Sequence, residues 1–356
     1  MKKRFVSNML IVPSMLLFPL LCISCKDQEK TEKFQSHRTN ILDVEKELTN
    51  INTDIILGSP LLYIISDYLI VLDMKPSTNK GIHLFNKNSF KYVASTGIMG
   101  DGPGEIIRYG RIGVDNDKQI FWVPDHGKQM LMKFPLDSVL QNPNFKPTTG
   151  LSLLNDLFIE RFEFLDDSIV LGKAVNVLSS SSYQMVMAKL NTISNRIDKY
   201  GYEQPESGGK KSNSYFALSK PHNFYVNCYL YCDLVTICDL KGNLRYNIYG
   251  PDRMDNKENM NTYFTGVDLF KNIIFAAYIG DAGIVFNEFK RQEGSLPTKF
   301  LIFNQAGDYL NTFETKHKFS SFCIDEANSR VIAHYMDRTN PLAYFTFDSS
   351  LAVADK

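Results

Sequence analysis

What this 356-residue chain lacks narrows its function first. It carries no excess of either charge, with 39 basic and 39 acidic residues. A neutral chain offers no electrostatic footprint for nucleic acid. Beyond the first 25 residues no stretch is long or apolar enough to cross a bilayer as a helix, which takes roughly 20 residues. Three catalytic signatures are also missing: a G-x-S-x-G elbow, an H-E-x-x-H helix and a cluster of His with Cys at ligand spacing. The six histidines, at 37, 83, 126, 222, 317 and 334, are scattered. No long amphipathic helical period appears anywhere. The hydrophobic content of 44% and aromatic content of 12% nevertheless supply a large core, which excludes disorder for most of the chain.

The N-terminus, MKKRFVSNMLIVPSMLLFPLLCISC, has a basic start (Lys2, Lys3, Arg4) and an apolar core interrupted by Pro13 and Pro19. It reads as a secretory signal spanning 1–24. The run LCISC resembles a bacterial lipobox, which implies lipidation of Cys25, although Cys22 stands where lipoboxes usually carry Leu. Two or more acyl chains at one cysteine hold a protein to a membrane that a single chain holds only marginally. The following KDQEK, with Asp27 and Glu29, resembles acidic export signals of surface lipoproteins in Bacteroidetes-type bacteria; it also reads as a solvated linker, expected over 25–40. Removing Lys2, Lys3 and Arg4 with the signal leaves 36 basic against 39 acidic residues. The remaining cysteines, Cys228, Cys232, Cys238 and Cys323, are expected as buried free thiols, because a large domain needs no disulfides.

A repeat organises residues 41–356. Segments such as GIHLFNK (81–87), QMLMKFPLD (129–137), YQMVMAKLN (183–191), DLVTICDLKG (233–242), TKFLIFNQAG (298–307) and LAYFTFDSS (342–350) recur six times. Each follows another apolar, period-two stretch, for instance YLIVLDM (68–74) or NFYVNCYLY (223–231), and several precede a further strand such as NLRYNIYG (243–250). Alternation with β-branched and aromatic residues marks strands. Asp- and Asn-bearing turns separate them. Units of about four strands, six times over, bury their faces by radial stacking, which predicts an all-β, six-bladed β-propeller. The sixth unit ends too early for its outer strand, so the segment 41–57 is expected to complete that blade from the other end of the chain.

On these residues a family resemblance rests. GIMGDGPGEIIRYGRIGVDNDKQIFWVPDHGKQMLMKF (97–134) looks like an NHL-type propeller repeat. With the lipoprotein signal, the chain resembles the TolB-like six-bladed propeller lipoproteins of Bacteroidetes-type bacteria. The resemblance implies a propeller in the cell envelope, as an outer membrane lipoprotein on the periplasmic side or the cell surface.

The glycine-rich stretch GIMGDGPGEI (97–106) raises phosphate and metal chemistry. A P-loop needs Lys and Ser or Thr after its last glycine, and a dinucleotide loop needs a helix; neither follows here. Asp101 and Glu105 could offer oxygens to Ca²⁺, but two carboxylates fall short of the about six to eight ligands it takes, and no cofactor is expected. The stretch reads as a bend between the first two blades. Propeller topology gathers it on one face with Asp125, His126, Lys128, Arg253, Arg291, Asp337 and Arg338. That face is expected to meet an envelope protein, peptide or glycan. The competing reading is a hydrolase or lyase pairing His126 with Asp101 or Asp125, and a solvated rim of charges is the plain alternative. The insert 280–297 is expected to act as a lid or docking element.

Overall fold

In the computed structural model the described residues are 31–147, 150–153, 157–253, 261–286 and 289–353, and the segment expected as a secretory signal, 1–24, and Cys25 lie outside them. Six antiparallel sheets follow one another along the chain. Blade one is Pro60–Ile65, Tyr68–Asp73, Lys80–Asn86 and Tyr92–Ile98. Blade two is Gly113–Asp115, Ile120–Asp125, Met130–Pro135 and Gly150–Ser152, with a short helix, Leu136–Gln141, before its last strand. Blade three runs Leu157–Phe164, Ile169–Ser179, Ser182–Asn191 and Arg196–Lys199, and blade four Ser214–Ser219, Phe224–Tyr229, Leu234–Asp239 and Leu244–Tyr249. Blade five is Asn261–Phe270, Ile273–Ala282, Lys299–Asn304 and Tyr309–Glu314; blade six begins Phe319–Asp325, Arg330–Tyr335 and Leu342–Thr346. This is the six-bladed propeller that the repeat predicts.

Local chemistry sets the strand ends. Asn86 Oδ1 accepts from the amides of Asn88 and Ser89, and Asp166 Oδ1 from those of Ser168 and Ile169. These side chains replace the ladder bonds that a turn gives up. Between turns the apolar residues cluster by neighbouring pairs of blades. Ile82, Leu84, Phe121 and Phe134 join blades one and two, Phe162 and Val170 pack with Leu131 between two and three, and Phe275, Phe300, Val331 and Phe345 join five and six. Leu62, Val71 and Phe85 meet Ile332 and Leu342, closing the ring from blade six back to blade one. Burying each such side chain contributes about 1.5–3 kcal/mol. One glycine is fixed by this packing: a Cβ on Gly113 would lie 2.0 Å from the Phe162 ring of the next blade.

The expected closure is present. Thr49–Ile51 pairs antiparallel with Leu342–Thr346, in the register Ile51 to Leu342 and Thr49 to Tyr344, and supplies the fourth strand of blade six. Arg338 adds a hydrogen bond to Asn50 Oδ1 at 2.7 Å, and Asn340 one to Asn52 Oδ1.

The stretch expected as a linker is more ordered than its composition suggests. Glu32–Phe34 lies parallel to Leu244–Tyr249 as a fifth strand on blade four. Ile41–Asp43, at the start of the segment expected to complete blade six, lies instead parallel to Tyr309–Glu314 on blade five, so that only Thr49–Ile51 of 41–57 pairs with blade six. Together with Thr49–Ile51 they make the N-terminal segment a strap over three successive outer edges. The strap is held by side chains as well as ladders: Lys33 pairs with Asp308 at 3.0 Å, Asn247 donates to Glu32 Oε1, and Asn40 donates to the Leu310 carbonyl.

Candidate functional site

The bend at 97–106 folds onto itself. Gly102 donates its amide to Glu105 Oε2 at 3.1 Å, so the glycine amide that would cradle phosphate is occupied by the loop's own carboxylate. A Cβ on Gly100 would sit 2.1 Å from the same oxygen, so a side chain there would displace the Glu105 carboxylate from this arrangement. Lys146 donates to Glu105 Oε1 at 2.7 Å, and Lys128 donates to the carbonyls of Gly102 and Glu105, both at 2.7 Å. The Lys146 hydrogen bond, followed by that of Gly102, lowers the Glu105 pKa. Two of the expected site residues, Glu105 and Lys128, therefore shape this junction, while Asp101 stands exposed at its tip.

Asp125 is fully buried at the end of a blade-two strand. Its carboxylate accepts from the amides of Ile107, Arg108, Gly127 and Lys128, four bonds that fasten the bend to the adjoining turn. His126 lies edge-on to Phe158 with ring centres 4.9 Å apart, and burial lowers its pKa, which keeps the ring neutral at neutral pH. Its side chain has no hydrogen bond to Asp101 or Asp125, the arrangement that acid/base partnership would use.

The remaining expected residues are dispersed around the same face. Arg253 covers the Phe34 ring of the strap at 4.7 Å, and Arg338 is engaged with Asn50. Asp337 accepts from the Lys318 amide and contacts His317 Nδ1 at 3.2 Å, a histidine that the sequence did not single out. Arg291 is exposed on the insert, which forms its own hairpin, Ile284–Phe286 with Gln292–Gly294. Ile284, Val285 and Phe286 of that hairpin point into solvent. Among the described residues no group of three or more His, Cys, Asp or Glu is arranged to hold a metal ion. The thiols of Cys228, Cys232, Cys238 and Cys323 are buried and unpaired, and burial pushes Cys232 up to about 11 and Cys238 to about 12.

A different set of residues lines the axis. The six innermost strands surround a cavity of about 1050 Å³. Around the start of the Ser214–Ser219 strand it presents Arg111, Arg161 and Tyr215; toward the ends of the inner strands it presents Glu163, Asp268, the Asp117–Lys220 ion pair and the Lys87–Asp325 pair. Glu160 spans the two arginines, with one oxygen 3.8 Å from Arg111 Nε and the other 3.3 Å from an Arg161 nitrogen. Both guanidinium groups face the Tyr215 ring, at 5.5 and 4.5 Å. Arg161 also donates to the carbonyl of Ser214 at 3.1 Å, joining blades three and four.

Deeper in the cavity the carboxyls resist ionisation. Burial, and then the charge of Asp268, raises Glu163 to about 8, while burial raises Asp268 to about 7. Each also accepts an amide from the next blade: Glu163 from Leu218 at 3.2 Å and Asp268 from Ile324 at 2.8 Å. The cavity is thus polarised, with fixed positive charge at one end and protonatable acids at the other. A charged residue interrupting an apolar inner strand, as in IERFEF (159–164), is the sequence signal that could have found it.

Comparison with known proteins speaks to the fold. No protein-family model matches the chain, and no curated protein matches it. Solved structures do. A Bacteroides fragilis protein provisionally described as exported superposes with a TM-score of 0.54 at 14% identity, covering 88% of this chain and 98% of that one. A member of the DUF4221 family from Bacteroides vulgatus gives 0.55 at 12% identity over 84% of this chain and 94% of that one. The WD40 repeats of RRP9 give 0.52 at 9% identity, with 85% and 98% covered. At these identities the likeness is one of architecture, and in fold this chain is similar to these Bacteroides proteins.

Proposed function

We propose that the protein is a lipid-anchored binding module of the cell envelope, held to the outer membrane through Cys25, that takes part of a protein, peptide or glycan into its axial cavity. The observation that carries this reading is the cavity itself: about 1050 Å³, lined by the inner strands and furnished with a few charged groups. Such concave sites are where ligands are held. The lipobox-like LCISC and the description of the Bacteroides fragilis neighbour as exported support the location. The rhythm of residues 97–134 supports a TolB-like or NHL-like subtype. Crosslinking in intact cells, followed by purification of the native lipoprotein, tests the function. A reproducible envelope partner supports it; absence of any partner, together with turnover of a glycan or peptide library, overturns it.

A further inference from the structure

Arg111 lines the axial cavity with its side chain 30% exposed, and among the described residues it makes no hydrogen bond. A guanidinium has five N–H donors in a planar fork. Among the described residues the one acidic group paired with Arg111 is Glu160, at 3.8 Å, beyond the roughly 2.7–2.9 Å of a charge-assisted hydrogen bond. The same carboxylate stands 3.3 Å from Arg161, whose Nε is buried without a hydrogen-bond partner. One carboxylate is therefore shared loosely between two cations, and this end of the cavity keeps a net positive charge with unused donors.

We infer that Arg111 and Arg161 form an oxyanion-binding site at one end of the axial cavity, for a carboxylate or phosphate group carried by the ligand. The inference rests on the axial reading above and adds the chemical class. Glu160 leaves both guanidinium groups short of a partner, since it spans them at distances that an oxyanion entering from the cavity would shorten. Tyr215 stacks against both cations and limits their movement. Tyr63 accepts the Ile112 amide at 3.2 Å, which leaves its own O–H proton available to an incoming oxygen. At the far end the cations Lys87 and Lys220 are already paired one to one with Asp325 and Asp117, so the unspent positive charge lies at the arginines.

The test is calorimetric titration of the full-length mature protein with inorganic phosphate, with succinate and with the neutral disaccharide cellobiose. At least one of the two anions is expected to bind with one site per chain and to weaken as salt is raised, since exposed charge interactions are screened. Phosphate alone, or succinate alone, identifies which oxyanion the site prefers. Arg111→Gln should weaken that binding at least tenfold while leaving the melting temperature nearly unchanged, because Arg111 makes no hydrogen bond in the fold. Glu160→Gln should tighten it severalfold by removing the internal competitor, an effect that a purely structural Glu160 would not produce. Binding of neither anion, or equal binding by wild type, Arg111→Gln and Glu160→Gln, overturns the oxyanion site. Cellobiose binding in those circumstances would leave the axial module standing with the wrong ligand class; anion binding without any envelope partner in cells would do the reverse.

Discussion

One nitrogen of Arg38 donates to both carboxylate oxygens of Asp233, at 3.0 and 3.3 Å, across 195 residues of sequence. The pair is almost closed to solvent, with side-chain exposures of 9% and 0%. Tyr278 donates to the same carboxylate, and the Arg38 guanidinium lies over its ring at 5.0 Å. Burial raises the Asp233 pKa, and Arg38 opposes that rise. Arg38→Ala leaves a buried carboxylate without its cation, a change that costs about 3–5 kcal/mol. Denaturant titration should find a loss of that order, partly recovered at lower pH where Asp233 takes up a proton. A variant as stable as wild type would show that the Arg38–Asp233 pair contributes nothing to the fold.

The ring closes through Thr49–Ile51 on Leu342–Thr346. A chain ending at residue 341 loses that third strand of blade six and strands its closing partner, exposing Ile332 and the apolar face of blade one. We expect no cooperative thermal transition from it. A stable, monomeric product by size-exclusion chromatography and calorimetry would refute closure as the clasp of the propeller.

Stability should fall as pH rises from about 5 to 8. Glu163 at about 8 and Asp268 at about 7 stand above their ordinary values of 4.5 and 3.8, so the folded chain holds protons that the unfolded chain has already released. Their contribution is complete below about pH 4 and is lost as the pH passes through the folded values. The melting temperature of Glu163→Gln should therefore vary less between pH 5 and 8 than that of wild type. An unaltered pH profile would show that Glu163 titrates normally.

The hairpin on blade five stands apart from the propeller sheets, with Ile284, Val285 and Phe286 exposed. Deleting 283–294 should leave the melting temperature within about 2 °C of wild type, since little core is removed. The same deletion should weaken capture of an envelope partner in the crosslinking experiment. Undiminished capture would remove the hairpin from the docking surface.

The second and third strands of every blade were legible because each is flanked by neighbours on both sides. Segments such as Tyr68–Asp73 and Leu234–Asp239 are consequently almost wholly apolar. The innermost strands were harder to read. They border the cavity, so Arg161 and Glu163 alternate with Phe162 and Phe164, and in blade two the strand shrinks to Gly113–Asp115. Asp125 and Lys128 meet the glycine-rich bend at one junction, next to which they stand in sequence. Sequence could not reveal that Asp125 and Lys128 spend their polar atoms on backbone, because that depends on partners placed by the fold. The parallel strap was invisible for a related reason: Glu32–Phe34 and Ile41–Asp43 are three residues each, and their ladders lie on strands more than 200 residues away.

The strap also decides how the molecule bears load. A pull applied at Thr31 acts first on the short parallel ladder to blade four and on the Arg38–Asp233 clamp, then on the ladder to blade five, and only afterwards on Thr49–Ile51. Each contact must part before the next is strained. The propeller is thereby cushioned from tension on its N-terminal side, and the strand that locks its ring is the last to feel it.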